Sequence, residues 1–402
     1  MRILLFTIGS RGEAQPMVAL ATRLAASGQQ VVMCAPPDFQ TWAERLGVTY
    51  VPVGPRLRGT ARRKAGGVPS PEQRRHMIEG TVTDQFTAVG AAAEGCDVIV
   101  AGGALAIAAR SVAERRGIGY VYTAFAPVTL PSPQHAPPVQ GMPGHGPAEG
   151  TVDNSALWAE DARGWDALWG PALNARREAL GLPPVTDVRS HLFTGAPWLA
   201  ADPTLAPWPG PAQPDVVQTG AWLLPDDRPL PSEVEAFLDA GEPPVHVGFG
   251  SVRAPEGVAR AVIGAARSLG RRVIVGRGWA QLSPVDDEPD CLAVGEVNQR
   301  VLFTRVAAVV HHGGAGTTTT AALAGVPQVV VPQVYDQFYF ARRVERLGIG
   351  SAHPSGGPTV DSLGTALNRA LDPTVTAAAR LVARSIRTDG TATAARRLLE
   401  MA

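Results

Sequence analysis

The 402 residues include one lysine, Lys64; every other one of the 36 basic residues is arginine. That near-absence excludes two chemistries at once. No G-x-x-x-x-G-K-[ST] phosphate loop can be written, and no lysine sits in a loop suited to a pyridoxal-phosphate Schiff base. Cysteine is scarce too: Cys34, Cys96 and Cys291 lie far apart, offer no metal-ligand spacing and read as core thiols. No stretch reaches the ~18 apolar residues of a membrane helix. The opening MRILLFTIGS is one strand long and lacks the apolar span and cleavage site of a signal peptide. A cytoplasmic location is therefore expected. Excess charge is also missing, since 36 acidic residues balance the 36 basic ones. That removes the electrostatic footprint of a nucleic-acid binder, and no basic run points to a membrane surface. No carboxylate pair of D-x-D type is present to hold a divalent ion, so no metal site is expected.

What remains is a globular composition, 45% hydrophobic and 18% charged. The length suggests two domains of ~200 residues each. Arg2 to Thr7 is a near-continuous apolar run, the mark of a buried parallel strand. A Gly-Ser-Arg-Gly loop follows, and then Met17, Val18, Leu20, Ala21 and Leu24 recur at helical spacing. Further strands are read at 31–34, 51–53, 98–101 and 120–123, with helices between them. Such alternation means parallel βαβ units. The alternation stops between Pro127 and Pro147, a proline-rich stretch read as a long surface loop. A helix carrying Trp158, Trp165 and Trp169 comes next.

The second proline-rich segment, APWPGPAQP, begins at Ala206 and is the linker candidate. The alternation then restarts, with strands at 245–249, 272–275, 292–294, 307–310 and 328–331. Both halves open alike, as FTIGSRG and VGFGSV. The expected architecture is α/β: two facing, doubly wound, Rossmann-like domains with ligands between the carboxyl ends of their strands. The expected boundaries are 1–205, a linker at 206–217, a second domain at 218–380, and a C-terminal helix within 381–402 packing back on the first domain.

The most informative segment runs from Val309 to Gln337, VVHHGGAGTTTTAALAGVPQVVVPQVYDQ. A strand ends in His311-His312, Gly313, Gly314 and Gly316 allow a tight turn, and threonines open a helix. Free amides at a helix N-terminus, with flanking hydroxyls, favour an anion. A histidine at the mouth adds a donor, so the expected guest is a phosphate or diphosphate. The plainer reading is a tight turn with a buried polar residue. The strand, glycine turn, threonines and downstream Asp336-Gln337 occurring together favour function.

This segment resembles the donor-binding signature of inverting glycosyltransferases of GT-B fold that use uridine or thymidine diphosphate sugars. The opening GSRGEAQPMVALATRLAASG, together with MCAPPDF, VQTGAWLLPDDRPLP, VGFGS, GRGWA and GEVNQRVLF, is similar to bacterial glycosyltransferases that decorate glycopeptide antibiotic aglycones such as vancomycin. The likeness runs along the whole chain. It implies that His312 donates to the diphosphate, with Gly313, Gly314, Gly316 and Thr317 forming the turn and supplying amides and a hydroxyl. It also implies that Ser251 meets the phosphate from the opposite strand end and that Ser10 and Arg11 approach it across the cleft. Asp336 and Gln337 would read sugar hydroxyls, and Val297 and its neighbours would contact the base. Glu296 and Thr320 stand where plant members carry a tryptophan and a ribose-binding glutamate.

Where glycopeptide relatives read Ser-Arg-Gly-Asp, this chain reads Ser10-Arg11-Gly12-Glu13. Glu13 keeps a carboxylate in the place of the candidate general base, one methylene further out, and Asp336 is the second candidate. The plainer reading of Glu13 is a helix-capping side chain favoured by the dipole. The implied reaction is inverting and metal-independent, with a nucleotide-diphosphate sugar as co-substrate, no cofactor, and the leaving group stabilised by His312, Arg11 and helix amides. Trp158 and Trp165 are expected to line an acceptor cleft, against the plainer reading of a helix packing its apolar face. His135 and His145, in the proline-rich loop, read as solvated. Two other functions fit the fold: a nucleotide-sugar epimerase, and a two-lobed small-molecule binding protein without catalysis.

Overall fold

Ile3, Leu4, Leu5 and Phe6 in the first strand are all fully buried, yet they serve two different cores. Ile3 and Leu5 pack with the helix Arg11–Ala26, while Leu4 and Phe6 face Val89, Ala109 and Val112 on the other side. Successive side chains of a strand point to opposite faces, so a strand covered on both sides must be apolar throughout. The computed structural model describes residues 1–61, 70–138, 153–210, 214–354 and 356–401.

The first lobe is built on seven parallel strands: β1 (Arg2–Thr7), β2 (Gln30–Ala35), β3 (Thr49–Pro52), β4 (Val98–Gly102), β5 (Gly119–Ala124), β6 (Trp198–Leu199) and β7 (Val217–Gln218), in the order β3-β2-β1-β4-β5-β6-β7. The second lobe has six: β8 (Val245–Gly248), β9 (Val273–Gly276), β10 (Cys291–Val294), β11 (Ala308–His311), β12 (Gln328–Val330) and β13 (Gly350–Ala352), ordered β10-β9-β8-β11-β12-β13. In each sheet the winding reverses beside the first strand, between β1 and β4 and between β8 and β11. Crevices open beyond the strand ends at such switch points. The loops after β1 and β8 meet there: the Arg11 backbone N–H donates to Ser251 Oγ at 3.1 Å. Nearby, the rings of Phe39 and Trp279 stack across the lobes, 5.6 Å apart and 19° from parallel.

The segment expected to link the domains stays with the first lobe. Val217 and Gln218 pair with Trp198 and Leu199, which adds a seventh strand. The Gln218 side chain pins the stretch, accepting from the Trp208 N–H and donating to the Ala201 and Ala206 carbonyls. Among its described residues, Pro207 and Pro209 belong to a connection pinned to the first lobe, and the crossing comes only after Gln218. The chain returns near Gly390, where the helix Gly390–Leu399 sets Ala394, Ala395 and Leu398 into the core of the first lobe beside Met17 and Leu24. The outward and return crossings touch backbone to backbone: a Cβ on Gly390 would overlap the Ala221 carbonyl oxygen, and Gly220 holds φ +92°. Asp202 ties the same region, accepting from the Thr204 and Leu205 N–H groups at Oδ1 and from the Arg387 N–H at Oδ2. Among the described residues no helix is long and apolar enough to cross a membrane.

Since the atom a new methyl would meet at residue 390 is rigid backbone, Gly390→Ala should lower stability by about 2 kcal/mol, the scale of overpacking a filled site. Denaturant unfolding checks this, and a midpoint equal to wild type would show that the crossings can separate freely.

Candidate active site

The helix Arg11–Ala26 begins at the end of β1 with Ser10 as its N-cap, whose Oγ accepts from the Gly12 N–H at 3.2 Å. The same hydroxyl donates to Glu13 Oε2 at 2.9 Å. Glu13 therefore sits in the first turn of a helix that Ser10 caps, and its carboxylate accepts from the capping hydroxyl. Its carboxylate is nonetheless folded back over Gly9: a Cβ there would lie 2.7 Å from Glu13 Cδ. Burial pushes the Glu13 carboxyl up, and the Ser10 bond only partly opposes it.

Asp336 faces it from the second lobe, as N-cap of the helix Gln337–Arg346, without capping that helix through its side chain. It is half-buried, enclosed by protein yet open to the cleft. Burial, reinforced by the Glu13 charge, raises it to about 7. The charge of a carboxylate on the first lobe thus disfavours ionisation of a carboxyl on the second. Gln337 is more constrained than its motif suggests. It is buried, and its Oε1 accepts from the Gln333 and Val334 N–H groups at 2.7 and 3.1 Å, which leaves the amide nitrogen for other partners. Between β12 and this helix, Tyr335 holds φ +58°, a left-handed conformation unusual for a bulky residue.

The His-His-Gly-Gly turn follows β11 and leads into the helix Ala315–Ala324. His312 is 8% exposed, and its buried Nδ1 has no hydrogen-bond partner. Its ring lies between the two switch-point loops: a Cβ on Gly314 would fall 2.5 Å from Nε2, and one on Gly250 would fall 3.8 Å from Cε1. Burial lowers its basicity to about 4, so the ring is neutral near pH 7. The helix is capped by Gly314, and not by a threonine. Thr318, Thr319 and Thr320 donate their hydroxyls to the carbonyls of Gly314, Ala315 and Gly316, and Thr317 alone keeps its hydroxyl for the cleft. First-turn amides of a helix have no partner within it, which leaves those of Ala315, Gly316 and Thr317 facing outward. Gly313 differs: its N–H donates to His311 Nδ1 at 3.1 Å and is already engaged.

Arg11 Nη2 meets Glu296 Oε1 at 2.7 Å across the lobes, its Nε donates to Gln15, and its guanidinium lies 4.5 Å from the Trp42 ring centre. Val297, next to Glu296, is half-buried against Leu302 and Phe303. The structure therefore gathers Ser10, Arg11, Glu13, Ser251 and His312, with the amides after it, at the facing switch points. The Arg11–Glu296 pair and the coupling of Glu13 to Asp336 carry no sequence signal, because they arise only when two distant lobes meet.

Trp158 and Trp165 lie elsewhere. They are 5% and 6% exposed and belong to the packing of the first lobe. Trp158 donates Nε1–H to the His135 carbonyl, and Trp165 meets Phe193 edge to face, itself stacked on Tyr122. They brace a wall and present little surface to a cleft, since an amphipathic helix turns its apolar face inward. His135 is not solvated either: its ring lies between Trp158 and Trp208, with Nε2 2.9 Å from the Leu130 carbonyl oxygen. His145 and the proline-rich stretch 139–152 lie outside the described residues. Among the described residues no group of three or more His, Cys, Asp or Glu is placed to hold a metal ion.

Comparison with known proteins fits this geometry. Residues 3–132 match the glycosyltransferase family 28 N-terminal domain, and residues 260–401 match the erythromycin biosynthesis protein CIII-like C-terminal domain. The vancomycin aglycone glucosyltransferase of Amycolatopsis orientalis is 51% identical over 402 residues, covering 100% of this chain and 97% of that protein. The dTDP-epi-vancosaminyltransferase of the same organism is 45% identical over 95% of this chain and 93% of its own length. The solved glycosyltransferase of kitacinnamycin shares the fold, with a TM-score of 0.73 at 20% identity, over 99% of this chain and 98% of that one.

The raised Asp336 carboxyl sets a signed expectation. A carboxyl with a higher pKa folded than unfolded contributes stability that is full below its unfolded value and lost as pH rises through its folded one. Here that loss runs from about pH 4 to about pH 7. Asp336→Asn should therefore melt above wild type, by a gap that widens from pH 5 to pH 7 and levels off beyond. A gap independent of pH would remove the strained carboxyl from the account.

Proposed function

Because the chain belongs to the glycosyltransferases of vancomycin-type antibiotic assembly, we propose that it moves a sugar from a uridine or thymidine diphosphate sugar to a hydroxyl of a glycopeptide aglycone. The observation that carries the donor side is the buried, unpartnered Nδ1 of His312, whose ring lies between Gly250 and the head of a helix whose first amides are free. An orphaned buried nitrogen beside open amides suits a diphosphate oxygen, which accepts hydrogen bonds from both.

In this reading an acceptor hydroxyl attacks the anomeric carbon from the face opposite the diphosphate, so the configuration inverts. Glu13 takes the hydroxyl proton, with Asp336 and the Gln337 amide nitrogen holding sugar hydroxyls. Burial raises Glu13 above an ordinary carboxylate, which makes its ionised form a stronger base for the acceptor hydroxyl. The leaving oxygen gathers negative charge, which His312, the amides of Ala315, Gly316 and Thr317, and Ser251 meet with dipoles in a site of low polarity, while Ser10 holds Glu13. Arg11 must leave Glu296, or share itself, to add charge there. Val297 touches the base, and Trp158 and Trp165 stiffen the wall behind the acceptor. No divalent ion is required, and the reaction takes place in the cytoplasm.

Acceptor-dependent release of nucleoside diphosphate, read by mass against a panel of glycopeptide aglycones in excess chelator, tests this. Wild type should keep its full rate under chelator. His312→Ala should lose ~10²-fold, the scale of one missing oxyanion donor. Glu13→Gln should lose turnover while still binding the diphosphate. Release that ignores the acceptor, or a His312→Ala rate within threefold of wild type, would sink the assignment.

A further inference from the structure

His311 precedes the histidine of the donor site and has no exposed surface. It ends β11, and its carbonyl accepts from the Val331 N–H at 2.8 Å. Both ring nitrogens are engaged. The Gly313 N–H points at Nδ1 at 3.1 Å, and Nε2 lies 2.9 Å from Gln328 Oε1 on β12. A backbone N–H can only donate, so Nδ1 must be bare and the proton must sit on Nε2, directed at Gln328. The tautomer is thereby fixed by geometry. Gly313 is held from its other side as well: at φ +90°, a Cβ would lie 2.6 Å from Val330 Cγ1 and 3.0 Å from the Gln337 carbonyl oxygen. The turn is wedged between the imidazole and the head of the helix Gln337–Arg346. His312 and the helix amides point where they do because this turn cannot slip.

We propose that His311 is a positioning residue for the transfer reaction. Through Nδ1 it holds the Gly313 amide, and so fixes the turn that brings His312 and the amides of the helix Ala315–Ala324 onto one diphosphate. It touches no substrate itself. The proposal rests on the donor reading above, and places one further residue behind it.

Two substitutions separate the functions of the ring. An asparagine carries an oxygen where the imidazole carries Nδ1, while a glutamine carries its amide where the ring carries Nε2. His311→Asn thus keeps an acceptor for Gly313, and His311→Gln keeps only the bridge to Gln328. Calorimetric titration with uridine or thymidine diphosphate, whichever wild type binds more tightly, should find His311→Asn within threefold of wild type and His311→Gln at least tenfold weaker. The matching nucleoside, without phosphates, should bind both variants as it binds wild type. A merely structural histidine would weaken nucleoside and diphosphate together. If His311→Gln fails to fold, His311→Met supplies the second route. It fills about the volume of the ring but offers no nitrogen or oxygen acceptor to the Gly313 N–H; the diphosphate should again bind at least tenfold more weakly. Diphosphate affinity within threefold of wild type in His311→Gln, or in His311→Met, overturns the proposal. So does an equal loss in His311→Asn and His311→Gln. Wild type that binds neither diphosphate overturns the donor reading itself, and this proposal with it.

Discussion

A donor carrying a diphosphate has to enter a gap that already holds two carboxyl groups, and the way charge is managed there governs the rest of the structure. Glu13 comes from the first lobe and Asp336 from the second, each at the head of a helix. Helix N-termini favour negative charge, but burial opposes it. The outcome here is that both carboxyls are raised by burial, Asp336 to about 7, with the Glu13 charge adding to the rise of Asp336. With one of them protonated, the gap presents less negative charge to the arriving anion. The groups that would receive it are also uncharged: a neutral imidazole and a set of backbone amides. Arg11, the cation at the end of β1, is held by Glu296 at 2.7 Å, and Arg228 meets the same carboxylate oxygen at 3.9 Å.

The parallel sheets are what bring these groups together. β1 and β8 are each the strand beside which the winding reverses, so their following loops end up facing one another. The link from the Arg11 backbone to Ser251 Oγ shows how closely they meet. The return of the chain at Gly390, packed against Gly220, ties the C-terminal helix to the first lobe. Each lobe's position relative to the other is therefore constrained at the cleft and at the double crossing. Glycine on both sides of the double crossing keeps backbone against backbone there, where a side chain would prise the two passes apart.

Much of this was legible in the sequence, for reasons that differ by element. Strands buried on both faces must be apolar at every position, which is why Ile3 to Phe6 announce β1 so clearly. Glycines between a strand and a helix mark a tight turn, and the turn is there after β11. The sequence could not show which hydrogen-bonding groups the fold itself would use. Gly313 looks like a donor to a ligand until His311 engages its amide. Three of the four threonines look like hydroxyls for a phosphate until they bond back along their own helix, and Gln337 looks wholly available until its carbonyl caps the preceding loop. Trp158 and Trp165 misled for a related reason. Indoles four or seven residues apart on a helix fit a cleft wall and a packed core equally well, and only burial decides. The linker was misplaced because prolines mark irregular backbone, not domain limits.

A receiver built of dipoles has a further consequence for turnover. The product of sugar transfer is the nucleoside diphosphate, more negative than the donor from which it came, and a site rich in fixed cations would hold it tightly. Binding that is equally strong for donor, transition state and product lowers the concentration needed for half-saturation without raising the rate. Amides and a neutral imidazole aimed at the leaving oxygen respond most to charge that appears there during reaction, and they need no reorganisation to do so. Their effect depends on aim more than on strength, since a misplacement of an ångström can cost about a hundredfold. That makes the rigidity of the His-His-Gly-Gly turn as significant as the identity of the groups it carries. It also gives a physical reason for the buried imidazole of His311, which makes no contact with the cleft yet uses both of its nitrogens to hold that turn in place.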